Sequence, residues 1–145
     1  MIEKNVERLC SFYVSDYHLE MIMIPFINKK IEDKNNIIIC SEKDLSESIK
    51  QVVSKINLSE ESKEKILELD WKKSEGKNLK ILKDRENIIF INGNEEYRKN
   101  IYKKIEKNEN IKIVDCYNAD IDEKKMRKIQ ETHSKILNTL GIGEF

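Results

Sequence analysis

The stretch Ile111–Leu137, IKIVDCYNADIDEKKMRKIQETHSKIL, decides the fold. It opens with Ile111–Cys116, which reads as a buried strand. Asn118–Asp122 is a polar turn. Met126, Ile129, His133, Ile136, Leu137 and Leu140 then recur at helical spacing and predict one amphipathic helix with a histidine on its buried stripe. Strand, turn and helix in that order form the repeating unit of a parallel α/β sheet.

The chain before this stretch repeats the pattern. Val6–Val14 reads as the first strand. Asp16–Lys30 is apolar nearly all round and predicts a helix buried on several sides, with a kink or a restart at Pro25. Asn36–Cys40, NIIIC, is a second interior strand. Asp44 with Glu47 opens a helix whose stripe is Leu45, Ile49, Val52, Val53 and Ile56. Ser59–Asp70 is a shorter helix, and Trp71 after it is a core plug. Ser74–Asn78 is a polar turn around Gly76, and Leu79–Leu82 with Asn87–Ile91 read as two strands of a hairpin.

Asn92-Gly93-Asn94 leads into a helix with Glu95 and Glu96 in its first turn and Lys103, Lys104 and Lys107 near its end. Tyr97, Ile101 and Ile105 mark its buried side. Gly141 reads as the stop of the last helix and Ile142–Phe145 as a frayed tail. The order β-α-β-α-α-β-β-α-β-α implies an α/β fold in three layers, a mainly parallel sheet with helices on both faces. Residues 1–145 form a single domain.

Composition narrows the function classes. The 145 residues carry 27 basic and 27 acidic side chains and no formal net charge. That balance argues against holding nucleic acid by phosphate neutralisation. No run approaches the roughly 20 apolar residues of a membrane span, and MIEKNVERL lacks a signal-peptide core. Three cysteines without a C-x-x-C spacing predict neither a disulfide framework nor a zinc ribbon, and place the chain reduced in the cytoplasm. The richness in Lys, Glu, Asn and Ile matches the bias of an AT-rich bacterial genome.

The motifs of catalysis are sparse. The P-loop pattern fails at Gly76-Lys77, where Trp71 and Asn78 stand in place of the required Gly and Ser or Thr, and no G-x-G-x-x-G occurs. No cofactor or metal is expected. Cys40 and Cys116 end their strands and could flank one crevice, since ligands bind outside the carboxyl ends of strands in open α/β sheets. Packing as small hydrophobes is the competing reading. A Cys–His pair, Cys116 or Cys40 with His133 or His18, would make a small cysteine enzyme or thiol redox protein. His133 reads as a core histidine bonded to a backbone carbonyl, or as a polar handle in a pocket. Tyr13 and Tyr17 could line the same mouth as His18.

Three segments resemble the MEDS sensory domain of bacterial and methanogen signalling proteins. They are Leu9-Cys10-Ser11-Phe12-Tyr13 followed by Ile24-Pro25-Phe26-Ile27; Asn78-Leu79-Lys80-Ile81-Leu82; and Cys116-Tyr117-Asn118 followed by Thr132-His133. The resemblance implies a RecA-like α/β fold with a degenerate nucleotide site and a sensory role without catalysis. It implies ligand-binding positions at Cys10, Tyr13, Cys116, Tyr117 and His133. The expected partners are a small molecule and a histidine kinase or transcription regulator, with neither nucleic acid nor membrane. A structural interaction module, using Tyr102 or Phe145, is the remaining alternative.

Overall fold

The structure, a computed structural model, describes residues 6–75 and 79–145. In chain order its elements are β1 (Val6–Tyr13), α1 (Asp16–Glu32), β2 (Asn36–Ser41), α2 (Ser46–Lys55), α3 (Glu60–Leu67) and β3 (Asn87–Asn92). They continue with α4 (Glu95–Ile105), β4 (Ile111–Asn118), α5 (Glu123–Glu131), β5 (Lys135–Asn138) and β6 (Gly141–Gly143). Among the described residues the strands form one sheet in the order β2-β3-β4-β1-β5-β6. The first five are parallel, and β6 is antiparallel to β5. The fold is α/β, as the alternation of strands and helices predicts.

Alternation along the strands divides the core in two. Ile88 and Phe90 of β3, with Leu9 and Val114, pack against Leu19, Ile22 and Phe26 of α1, Ile49 and Val53 of α2 and Ile66 of α3. Their neighbours Ile89 and Ile91, with Cys40 and Ile113, pack against Ile101 and Ile105 of α4. So α1, α2 and α3 cover one face and α4 the other. Asp115, two residues after Ile113, shares its face and so points to the α4 side, where it receives His133 from the turn that ends α5. That contact sets the end of α5 on the same face as α4.

Local chemistry accounts for the helix boundaries. Ser15, Ser59, Asn94 and Asp122 each accept a backbone N–H three residues on, capping α1, α3, α4 and α5. Helix α1 runs unbroken through Pro25. Pro25 is on its exposed side, so the carbonyl of Met21 that loses its amide partner can turn to water. Trp71 is buried against the first cluster and donates its indole N–H to the Ile66 carbonyl at 2.8 Å, plugging the end of α3.

Expectations at two places in the chain are corrected, at Leu79–Leu82 and in the stretch after Glu131. Leu79–Leu82 is not a strand and makes no hairpin with β3. The buried Asn87 carboxamide holds it instead, accepting from Leu82 N–H at 2.9 Å and donating to the Leu82 carbonyl at 2.7 Å. Leu79 and Ile81 then pack on the α4-side cluster. The turn read at Ser74–Asn78 falls partly on residues 76–78, outside the described residues.

The last helix is also shorter than its periodicity predicts. It ends at Glu131, and Lys135–Asn138 becomes a strand beside β1, pairing Lys135 with Leu9 and Ile136 with Cys10. Ser134 fixes the entry, its N–H donating to the Arg8 carbonyl at 2.8 Å and its hydroxyl at 3.0 Å. Leu137 enters the α1-side core. The segment read as a tail is a hairpin arm, with Leu137 opposite Ile142 and Asn138 opposite Gly141.

Gly141 therefore serves a hairpin rather than a helix stop, and its φ of +109° is a conformation open to glycine. Gly141→Val should cost about 1–3 kcal/mol in urea unfolding. Gly143→Ala should cost less than that, because its added Cβ meets Ile136 at an ordinary 3.5 Å.

Candidate functional site

β4 carries an aspartate in the middle of its apolar run, and Asp115 is fully buried. An isolated carboxylate there would be severely destabilising. Four side chains from three other parts of the chain answer it. Arg98 of α4, 2% exposed, donates from Nη1 to Asp115 Oδ1 at 2.9 Å. His133 donates from Nε2 to Oδ2 at 2.6 Å. The Tyr102 hydroxyl donates to Oδ2 and accepts from Arg8 Nη2 at 2.9 Å. Arg8 Nη2 also stands 3.5 Å from Oδ2.

Arg98 is held at every turn. Its Nη1 also donates to the Ile91 carbonyl at 2.9 Å and its Nη2 to the Cys116 carbonyl. Its guanidinium lies over the Tyr117 ring, 3.8 Å from the centroid. Phe12 stacks beside Tyr117 and His133 meets it edge-on. Burial alone would push the Asp115 carboxyl up. The bond from His133, the charge of Arg98 and the Tyr102 hydroxyl outweigh it and hold the carboxyl below its usual range.

Above this cluster, at the carboxyl ends of β1, β3 and β4, lies a crevice of about 530 Å³. Tyr13, Asn92, Arg98, Cys116, Tyr117 and Asn118 line it, with Glu95, Glu96 and Lys125 also at its walls. The helix after β1 covers one face of the sheet, and the helices after β3 and β4 the other. The crevice thus sits at the switch point where open α/β sheets take ligands. Tyr13 spans it, donating its hydroxyl to Asn92 Oδ1 at 2.8 Å.

The N-terminus of α4 is already answered. Glu42 accepts from Asn94 N–H at 2.5 Å, and Asn94 Oδ1 accepts from Tyr97 N–H at 2.8 Å. A Cβ on Gly93 would come within 2.5 Å of both Glu42 Oε1 and Tyr97, so this close approach requires glycine.

The expected positions separate. Tyr13, Cys116 and Tyr117 come together at the crevice. Cys10 and His133 do not line it: Cys10 is buried in β1 opposite Asp115, and His133 is behind Tyr117 with Nδ1 2.5 Å from the Ile129 carbonyl. Cys40 and Cys116 do not flank one crevice, because Cys40 packs under α4 and Cys116 on the α1 side. Cys116 and His133 are on opposite faces of the sheet. His18 accepts from Val14 N–H at 2.9 Å, and Tyr17 is exposed on α1 outside the crevice. Burial pushes all three thiols up to about 12.

Arg98 and Asp115 are the site residues that the sequence reading passed over. Their signals were a charge inside an apolar strand, and an arginine three and seven residues before Ile101 and Ile105 on the buried stripe. A second buried carboxyl, Glu20 of α1, accepts from Ser48 Oγ at 2.6 Å, and burial pushes it up. Among the described residues no group of His, Cys, Asp and Glu could hold a metal ion. No helix among them is long and apolar enough to cross a membrane. Compared with known proteins, the chain matches no family model, no curated protein and no solved structure.

Asp115→Ala leaves Arg98 buried without its counter-ion and should cost about 3–5 kcal/mol in chemical unfolding. Because the Asp115 pKa is lower folded than unfolded, its contribution is present above about pH 4 and is lost as pH falls through the folded value. The acid limb of a stability–pH profile should be flatter in Asp115→Asn than in the parent.

Proposed function

We propose that this chain is a non-enzymatic sensory or regulatory domain that binds a small polar molecule in the crevice over β1, β3 and β4. The observation that carries the reading is the crevice itself, a pocket-sized opening at the switch point of a parallel sheet. Its chemistry favours hydrogen-bond acceptors on the ligand. Asn94 and Asn118 have their side-chain oxygens committed to Tyr97 N–H and Asp120 N–H, which leaves each NH2 group as a donor at the rim. Lys125 adds a third donor. Arg98 lines the floor, and its Nε has no partner among the described residues.

Tyr117, half-buried over Arg98, offers an aromatic wall. Binding would act by biasing the chain between two conformations, read by a histidine kinase or a transcription regulator. A MEDS-type role in the bacterial cytoplasm accords with this reading. The cysteine-enzyme reading draws no support from the geometry, since the three thiols are buried and no histidine faces one.

A thermal-shift and calorimetric screen of amino acids, carboxylates, nucleotides and sugar phosphates tests the proposal. At least one class should raise the melting temperature, by about 2.7 kcal/mol of added stability at a hundred times its Kd. Tyr117→Ala and Lys125→Ala should each weaken that binding about tenfold, while Lys83→Ala, at the opposite end of the sheet, should leave it unchanged. A screen without a single binder, or binding indifferent to Tyr117 and Lys125, would sink the reading. In parallel, Ellman's reagent should find no fast thiol in the native protein and three in denaturant. A thiol reacting fast at neutral pH would reinstate the enzyme.

A further inference from the structure

The two edges of the sheet are treated differently. Beside β2 the chain covers its own edge: Ser74 N–H donates to the Ser41 carbonyl at 2.8 Å, and Asn36 Nδ2 to the Lys80 carbonyl at 2.8 Å. At the other end β6 is the last strand, paired only with β5 among the described residues. Natural sheets blunt such edges with lysines, prolines, bulges or covering segments, because an open edge recruits another strand. Here the only guard among the described residues is the shortness of β6, which is three residues long and carries no lysine or proline. In a chain that is 37% charged, the run Ile136–Gly143 contains no charged residue. Two of its large apolar side chains are in solvent, with Leu140 96% and Ile142 45% exposed.

The edge adjoins an apolar groove of about 410 Å³ between α1 and the hairpin. Ile22, Pro25 and Phe26 of α1 form one wall and Leu137, Leu140 and Ile142 the other. Lys29 stands on the rim with no carboxylate within ion-pair distance among the described residues, while Lys30 lies over the Phe26 ring and in the field of Glu86 and Asp33.

We propose that the occupant of this edge is a second copy of the chain, joined by antiparallel pairing of β6 with β6 about a two-fold axis through Ile142. The hairpin is self-complementary in that register. Ile142 meets the partner's Ile142, and Gly141 meets the partner's Gly143, so no side chain obstructs the flanking pairs. Leu140 falls opposite the partner's Glu144. That places a carboxylate on the rim where Lys29 lacks one, and the symmetry repeats the match on the other side. Because a two-fold of this kind keeps both α1 helices on one face, the two grooves join into one apolar floor. The sheet becomes continuous through twelve strands, and the open edge at β6 is gone. The pairing is small, so the dimer is a reversible one.

Sedimentation velocity on the intact chain, from low micromolar to near-millimolar concentration, tests the proposal. A monomer–dimer equilibrium is expected, with Leu140→Asp and Ile142→Lys each raising the dissociation constant by at least about tenfold. Leu140 is almost wholly exposed, so its variant keeps the fold if Ile142→Lys does not. Val14→Lys alters another exposed apolar residue, at the carboxyl end of β1, and should leave the equilibrium alone. The register has its own test. Opposed residues in an antiparallel pair have Cα atoms about 4.5–5.5 Å apart, within disulfide reach. Ile142→Cys should therefore form a covalent dimer under mild oxidation, and Thr139→Cys should not. A monomer at every concentration overturns the proposal, as does a dimer unaffected by both hairpin variants. Native mass spectrometry showing a monomer with an anionic amphiphile in the groove would overturn it as well.

Discussion

A single carboxylate inside the sheet organises the α4 side of this molecule. Moving an ionised carboxylate out of water carries a penalty of several kcal/mol even after relaxation, and one partner seldom offsets it. Asp115 recruits Arg98, Tyr102, His133 and, at longer range, Arg8. These residues belong to α4, to the turn after α5 and to β1, so the electrostatic demand of one residue fixes where three elements must stand. Apolar residues of similar volume in place of the whole cluster could fill the same space at no loss of stability, but they would not dictate which helix turn faces the strand. The buried charge therefore acts on arrangement more than on stability, a use of buried polar groups seen where register must be specified.

The crevice is the outer side of this same arrangement. Its floor is Arg98, and its aromatic wall is Tyr117, whose ring is held by the guanidinium beneath it, by Phe12 beside it and by the edge of His133. Side chains so fixed lose little freedom when a ligand arrives, which is what makes a site pre-organised. Cys116 contributes differently. Its carbonyl accepts from Arg98, while its thiol turns to the α1-side core, where it packs as a small apolar group.

The parts legible in the sequence were those governed by local pattern. NIIIC and NIIFI each carry a continuous apolar run after their first Asn because both faces of those strands are covered, and IKIVDC departs from that only at Lys112 and Asp115. The illegible parts depend on distant residues. From Met126 to Leu140 the apolar spacing is satisfied equally by a helix and by a helix followed by a hairpin. The free edge of β1 and the Arg8 carbonyl, more than 120 residues earlier, decide it by taking Ser134 and Lys135. Leu79–Leu82 has the composition of a strand, yet Asn87 satisfies its backbone with a side-chain amide, a substitution that no propensity scale registers. Cys116, Tyr117 and His133 do share one strand–helix unit, but alternation sends the thiol and the imidazole to opposite faces.

The polarity of the fold explains why the crevice lacks a phosphate loop. In a parallel sheet the helices that follow β1, β3 and β4 all begin at the carboxyl edge, so their positive ends converge there. Here those ends are neutralised within the chain. Ser15, Asn94 and Asp122 cap the first turns, Asp16, Glu95, Glu96 and Glu123 add negative charge, and Glu42 reaches across to the Asn94 amide. An anion arriving at α4 would have to displace a carboxylate that is already hydrogen-bonded. What remains for recognition is largely directional: the amide groups of Asn94 and Asn118, the Lys125 ammonium at the wall and the Tyr117 ring. Such a surface discriminates by the placement of acceptors on a compact ligand, because each buried donor left unmatched costs more than a matched one contributes.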